Sequence, residues 1–280
     1  MIRAFGRYIR YLLSLLDNAS NALIERTRGS LFCTLFNMRS RLLGRSVRFR
    51  QDADGYQVTD PVFSPHAYRF RHEVQANMAY KKGLVRRAQM MGDTYLLEAI
   101  EFHEGDLVID CGANVGDLKL WFTHRNLPVT YMAFEPSPLE FACLEKNVAP
   151  GTAHHCGLWK EDGNLTFYVS SQGADSSLIE PAEYDDVIHV TTRRLADFVD
   201  GPVKLLKLEA EGAEPEILLG VEEKLEQIEY ISADLGYERG VRSESTFVPV
   251  TNYLLSRGFE MVDISRQRMV ALYRNTSVSR

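Results

Sequence analysis

The chain has 280 residues, 45% of them apolar and 25% charged, so it can bury a sizeable core without disulfides or metals. Its net charge of −6 is unevenly spread: residues 1–50 hold ten Arg, no Lys and two acids, giving +8, and the remainder carries −14. The acidic body argues against nucleic acid as the main substrate, and the absence of any run of about 18 apolar residues excludes a spanning helix. Cys33, Cys111, Cys143 and Cys156 form no C-x-x-C pair, which reads as reduced, mostly buried thiols in a cytosolic protein.

In chain order, residues 1–50 read as a basic amphipathic helical arm. Ile2, Phe5, Ile9, Leu12, Leu13 and Leu16 recur at helical spacing, and Arg3, Arg7 and Arg10 gather on another face. That pattern fits a peripheral membrane surface, a helix packed on its own domain, or a targeting segment. Residues 29–50 are again basic and apolar. Residues 51–87 form a lead-in segment. From residue 88 to the end the chain alternates. A helix is expected at 88–102, a strand at Leu107-Val108-Ile109 and a helix at 117–125. The same rhythm gives strands at 130–134 and 152–156 around a helix at 139–147. Segments 165–170 and 187–192 alternate apolar and polar residues, as in a half-exposed inserted ribbon. A short helix at 195–199, a buried strand at 204–208, a helix at 215–225, a strand at 230–234 and a helix at 247–257 follow. Segments 261–264 and 269–273 close the chain as a hairpin. Such alternation specifies an α/β doubly wound, Rossmann-like, mostly parallel sheet with a C-terminal antiparallel hairpin.

Ligands of such sheets sit outside the carboxyl ends of the strands, where strand order reverses. The exit of the first strand is Asp110-Cys111-Gly112-Ala113-Asn114-Val115-Gly116. Gly112 and Gly116 permit a tight turn, but Asn114 stands where a dinucleotide fingerprint needs its second Gly, and a side chain there obstructs a pyrophosphate. S-adenosylmethionine (SAM) has none; Asp110 is placed to attract the ammonium of its amino-acid tail. Glu135 ends the second strand, 19 residues past Gly116, the position of a carboxylate that holds ribose hydroxyls.

After the strand at 204–208 come Glu209, Glu211, Glu214 and Glu216. Period-two alternation would put Glu209 and Glu211 on one face beside the pocket, where carboxylates can orient an acceptor hydroxyl or take its proton. Glu214 and Glu216 sit in a helix first turn and read as structural. Lys207 points away from Leu208, towards a carboxylate. The seven histidines form no ligand cluster, and no metal site is expected; His154 and His155 read as packing residues.

VIDCGANVGD, then AFEPSP, then LLKLEAEGAEPEILLG, in that order and spacing, resemble the FkbM-family methyltransferases over about residues 90–265. The resemblance implies the class I SAM-dependent methyltransferase sheet over 88–280. It also implies O-methylation of a hydroxyl on a sugar, glycan or related metabolite. The SAM-binding residues would be Asp110, Gly112, Ala113, Asn114, Gly116, Glu135, Pro136 and Ser137, with Glu209 and Glu211 as catalytic candidates. Glu211 matches the family's Glu-Gly pair; Glu209 stands where the family usually has Asp. The protein is expected to be cytoplasmic, with residues 1–50 available to the inner face of a membrane. An NAD(P)-dependent oxidoreductase and a non-catalytic membrane-associated adaptor are the competing readings.

Overall fold

Short apolar runs that alternate with helices have one economical arrangement, a parallel sheet covered on both faces. The computed structural model describes residues 17–18, 20–170, 176–266 and 268–278, with Pro65 in backbone only. The chain divides into two units, Met1–Arg87 and Ala88–Arg280. The expected amphipathic segment 2–16 lies outside the described residues.

In the first unit, helix α1 (Gly29–Leu42) precedes strands β1 (Arg48–Asp52), β2 (Gly55–Asp60) and β3 (Ser64–Phe70). The strands pair antiparallel in that order. Phe32 and Phe36 of α1 meet Phe49 and Tyr56 of the sheet, which in turn meet Phe70, with Phe36 stacked on Phe49 at 3.6 Å between ring centroids. Helix α2 (Glu73–Tyr80) adds Tyr80 to that aromatic core. The lead-in segment is therefore a hairpin and its helix. The sequence signal was Asp54-Gly55 followed by Tyr56-x-Val58-x-Asp60, whose alternate residues are all buried.

In the second unit, helix α3 (Leu84–Thr94, which begins before the division) leads to β4 (Leu107–Cys111), α4 (Lys119–His124), β5 (Thr130–Phe134), α5 (Pro138–Asn147) and β6 (Thr152–His154). The chain returns through β10 (Val203–Leu208), α6 (Glu214–Leu219), β11 (Ile228–Asp234), α7 (Phe247–Ser256), β12 (Phe259–Ile264) and β13 (Val270–Asn275). The seven-stranded order is β12-β13-β11-β10-β4-β5-β6. Strands β6, β5, β4, β10 and β11 are parallel, and β13 and β12 antiparallel. The order thus reverses between β4 and β10. Strands β7 (Gly157–Leu158), β8 (Gly163–Val169) and β9 (Asp186–Arg193) form the expected ribbon as a separate sheet, order β7-β9-β8.

Strand alternation splits the core into two layers. Ile109, Leu206, Leu208 and Ile231 face Ile217, Leu218, Val250 and Leu254 of α6 and α7. Val108, Leu205, Tyr131 and Leu272 face Met91, Tyr95, Trp121 and Phe122. All four cysteines are free and buried. No described helix is long and apolar enough to cross a membrane.

Three expected helices are shorter or differently formed. The helix expected at 88–102 stops at Thr94, because Leu96 adopts a left-handed φ of 59° and a 3-10 turn, Leu97–Ala99, follows. The helix expected at 215–225 stops at Leu219. A β-carbon on Gly220 would lie 2.2 Å from the Trp159 carbonyl oxygen, so the chain turns tightly there before a 3-10 segment, Glu222–Gln227. Residues 116–121 are wound by i→i+3 hydrogen bonds, and regular helix begins only at Lys119.

Gly92 of α3 tests how closely this layer is packed. A β-carbon there would meet Trp121 Nε1 at 2.2 Å. Alanine in a helix is worth about 1 kcal/mol over glycine. Overpacking against an indole ring costs about 1–3 kcal/mol. Gly92→Ala is therefore expected to lower unfolding free energy by about 1 kcal/mol in urea titration; a gain would show that the layer has room.

Candidate active site

The site starts from one register. In the parallel pair β4 and β10, Lys207 lies beside Asp110 and Leu208 beside Cys111. Neighbours in register point to the same face, so the Lys207 ammonium meets the Asp110 carboxylate at 3.0 Å. It reaches Glu209 at 3.1 Å and donates to the carbonyls of Cys111 at 3.0 Å and Gly112 at 2.7 Å. Tyr131 donates to Asp110, and Tyr95 donates to Glu209. Asp110 and Lys207 are both fully buried. Burial works against the Lys207 charge, but Asp110 and Glu209 outweigh it and hold the ammonium well above the usual lysine range. Burial likewise pushes the Glu209 carboxyl up; Lys207 and Arg268 together outweigh that and hold it ionised, below the usual glutamate value.

Above this pair the loop leaves β4. Gly112 has φ +66°, and a β-carbon on it would lie 1.8 Å from the Glu209 carbonyl oxygen. The two strand exits therefore touch backbone to backbone, which only glycine permits. Asn114 is left-handed at φ 50°, and Gly116 closes the turn by donating to the Ala113 carbonyl at 2.8 Å.

The buried carboxylate of Glu135 ties this loop to the next one. Its Oε2 accepts the Asn114 N–H at 2.8 Å, and its Oε1 accepts the Ser137 N–H at 2.9 Å across Pro136. Ala113 N–H donates to the Phe134 carbonyl at 2.9 Å. Burial pushes the Glu135 carboxyl up to about 7, with the two N–H donors opposing. The expected residues Asp110, Gly112, Ala113, Asn114, Gly116, Glu135, Pro136 and Ser137 thus lie on two connected loops at the carboxyl edge of β4 and β5.

Glu209 and Glu211 do not share a face by strand alternation. β10 ends at Leu208, and Glu211 takes a left-handed φ of 49° ahead of Gly212, so period two does not carry through the turn. Glu209 instead joins a group that sequence reasoning missed. Arg268 lies 2.7 Å from Asp234, 3.5 Å from Glu209 and 3.7 Å from Glu238. Burial, with Asp234 and Glu209 nearby, raises the Glu238 carboxyl to about 7 despite Arg268. Only Lys207 carried a signal, as a lysine in an apolar strand; Tyr95 meets a residue 114 positions away.

Glu214 is structural as expected: buried, it accepts the N–H groups of Ala210 at 2.9 Å and Gly212 at 3.2 Å, and the Thr246 hydroxyl. Glu216 pairs with Arg239 at 2.7 Å. His154 stacks on Phe134 and His155 on Phe141, so both are packing residues.

A glycine-led loop at the reversal point, with a buried acid closing the next strand, forms the ligand-binding end of a doubly wound α/β sheet. The chain belongs to the family described as the Methyltransferase FkbM domain, whose profile matches residues 110–261. It is 28% identical over 188 residues to Methyltransferase 1 of Beauveria bassiana (strain ARSEF 2860), covering 56% of this chain and 74% of that protein. It is 29% identical over 168 residues to the 31-O-demethyl-FK506 methyltransferase FkbM of Streptomyces tacrolimicus, covering 46% of this chain and 64% of that one. Among solved structures, a SAM-dependent methyltransferase from Aquifex aeolicus aligns at TM-score 0.41 and 12% identity, over 67% of this chain and 91% of that chain.

The protein's cofactor is SAM, and the residues present fit it: Glu135, buried at the end of β5, retains acceptor capacity beyond its two N–H partners.

Glu135 also makes stability depend on pH. The folded protein keeps its proton to about pH 7, whereas the ordinary value is 4.5. The stability this confers is complete below the lower value and is lost as pH rises through the higher one. Glu135→Gln should remove roughly 3 kcal/mol of pH-dependent change across that window, read from urea unfolding at a series of pH values. An unchanged slope would place the titrating group elsewhere.

Proposed function

We propose that the protein transfers the methyl group of SAM to a hydroxyl oxygen on a sugar, glycan or related polyhydroxylated metabolite. SAM supplies an electrophilic methyl on a sulfonium and departs as a neutral thioether. In this reading Glu135 accepts the ribose hydroxyls, and Gly112, Ala113, Asn114, Gly116, Pro136 and Ser137 present backbone to the donor. Asp110 acts from beneath, through Lys207 and the loop carbonyls, because its carboxylate is sealed from solvent.

The observation that carries the acceptor assignment is the cluster in which Arg268, from the turn between β12 and β13, meets Glu209 after β10, Asp234 at the end of β11 and Glu238 beyond it. Carboxylates and a guanidinium held together suit a ligand rich in hydroxyl groups. Glu209, ionised and braced by Tyr95 and Lys207, orients the acceptor oxygen; Glu211 is the second carboxylate at that turn. Glu238, whose carboxyl sits near neutral pH, takes the proton that the hydroxyl releases as its oxygen gains the methyl. Positioning supplies the rest of the barrier lowering, since displacement needs oxygen, methyl and sulfur in line.

The unit from residue 88 onward holds 16 basic and 32 acidic residues, which weighs against a nucleic-acid acceptor. Asn114 weighs against a dinucleotide, and an adaptor has no need of the buried Glu135 clasp.

Calorimetry and methyl transfer test the reading. Glu135→Ala is expected to weaken SAM binding by about tenfold to a hundredfold through loss of its hydrogen bonds to the two ribose hydroxyls, with no NAD binding by the parent protein. Glu209→Gln should retain SAM affinity yet lose transfer of tritiated methyl into a fractionated cell extract. Label recovered in the glycan or lipid-linked glycan fraction as a base-stable ether supports O-methylation; label in RNA or on protein nitrogen overturns it.

A further inference from the structure

We infer that the outward face of α1 is a docking surface for an anionic lipid bilayer. The helix has two apolar faces. One carries Phe32 and Phe36 into the aromatic core, both at 0% exposure. The other carries Leu31, Leu35, Met38 and Leu42, spaced 4, 3 and 4 residues apart, which aligns them on one stripe about 16 Å long. Leu31, Met38 and Leu42 are exposed at 56%, 54% and 80%, and Leu35 is half-buried. A packed helix of a water-soluble unit normally turns polar residues outward.

Charge selects the occupant. The side chains of Arg26, Arg28, Arg41 and Arg50 are exposed in the same unit, and no exposed acid lies within α1. Residues 1–87 hold 16 basic and 6 acidic residues, against 16 and 32 in the remainder. An apolar stripe with Arg28 at its start and Arg41 beside its end matches the boundary between headgroups and acyl chains. A second copy of this chain would bring the same arginines against themselves. The fixed packing of α1 on β1 distinguishes this surface from a helix that orders only on contact: the stripe is already presented.

The test uses the full chain and vesicles of phosphatidylcholine with or without phosphatidylserine. The parent protein is expected to sediment with the anionic vesicles, and less so as salt is raised, because screening weakens the arginine contribution. Leu31→Ser, Met38→Ser and Leu42→Ser combined should lower the partition coefficient by at least about tenfold, since each removes inserted methylenes. SAM affinity and the melting temperature should stay unchanged, which shows the variant folded. A companion variant, Arg3→Ser with Arg7→Ser and Arg10→Ser, separates the surface from the amino-terminal segment. Undiminished sedimentation of the stripe variant overturns the inference. So does complete loss in the companion variant with the stripe intact, or a parent dimer that the stripe substitutions dissociate.

Discussion

A single ammonium group organises the site. Lys207 sits among two carboxylates and two backbone carbonyls, all within 3.1 Å, in a strand that is otherwise apolar and buried apart from Lys204 near its start. Taking an ion out of water costs several kcal/mol, and the cost is offset only when every remaining donor and acceptor is satisfied. Here the satisfaction is distributed across both sides of the sheet reversal. Asp110 and the Cys111 and Gly112 carbonyls belong to the donor side, Glu209 to the proposed acceptor side. Removing the cation would strand the buried Asp110 carboxylate without an ionic partner, a loss of about 3–5 kcal/mol, while Glu209 would keep Arg268. The geometry of either loop is therefore not independent of the other.

The contact between Gly112 and the Glu209 carbonyl enforces the same coupling sterically. Glu135 extends it one strand further, by joining the N–H groups of Asn114 and Ser137. Three short bridges thus hold three consecutive strand exits as one surface: an ion cluster, a backbone approach and a shared carboxylate. The two side chains that span them, Lys207 and Glu135, are buried and held by several partners each, which suits a reaction that depends on alignment more than on acid-base strength.

Much of this surface was legible in the sequence, for a physical reason. Apolar runs bounded by glycine and acid identify strand exits, and parallel topology fixes which exits are adjacent. Gly112, Asn114 and Glu135 could be placed on that basis. The hairpin at Asp54-Gly55 was equally legible and went unread, because the dipeptide is informative only when the alternation beyond it is noticed. The Arg268 cluster was not legible. Asp234 ends an unremarkable strand, Glu238 lies in a loop, and Arg268 sits in the turn of a hairpin; only folding brings them within 4 Å of one guanidinium. The shared face expected for Glu209 and Glu211 failed because strand periodicity was carried past the last hydrogen-bonded residue into a left-handed turn.

Arg268 is carried by the antiparallel hairpin of β12 and β13, the last elements of the chain and the ones outside the parallel repeat. The cation that balances Asp234, Glu209 and Glu238 is thereby mounted on a turn between two strands, apart from the loops that leave β4 and β5. In the proposed reading that turn sets the charge and reach of the acceptor side. A substitution confined to it would retune which hydroxyl compound is accepted while the loops after β4 and β5 keep their form.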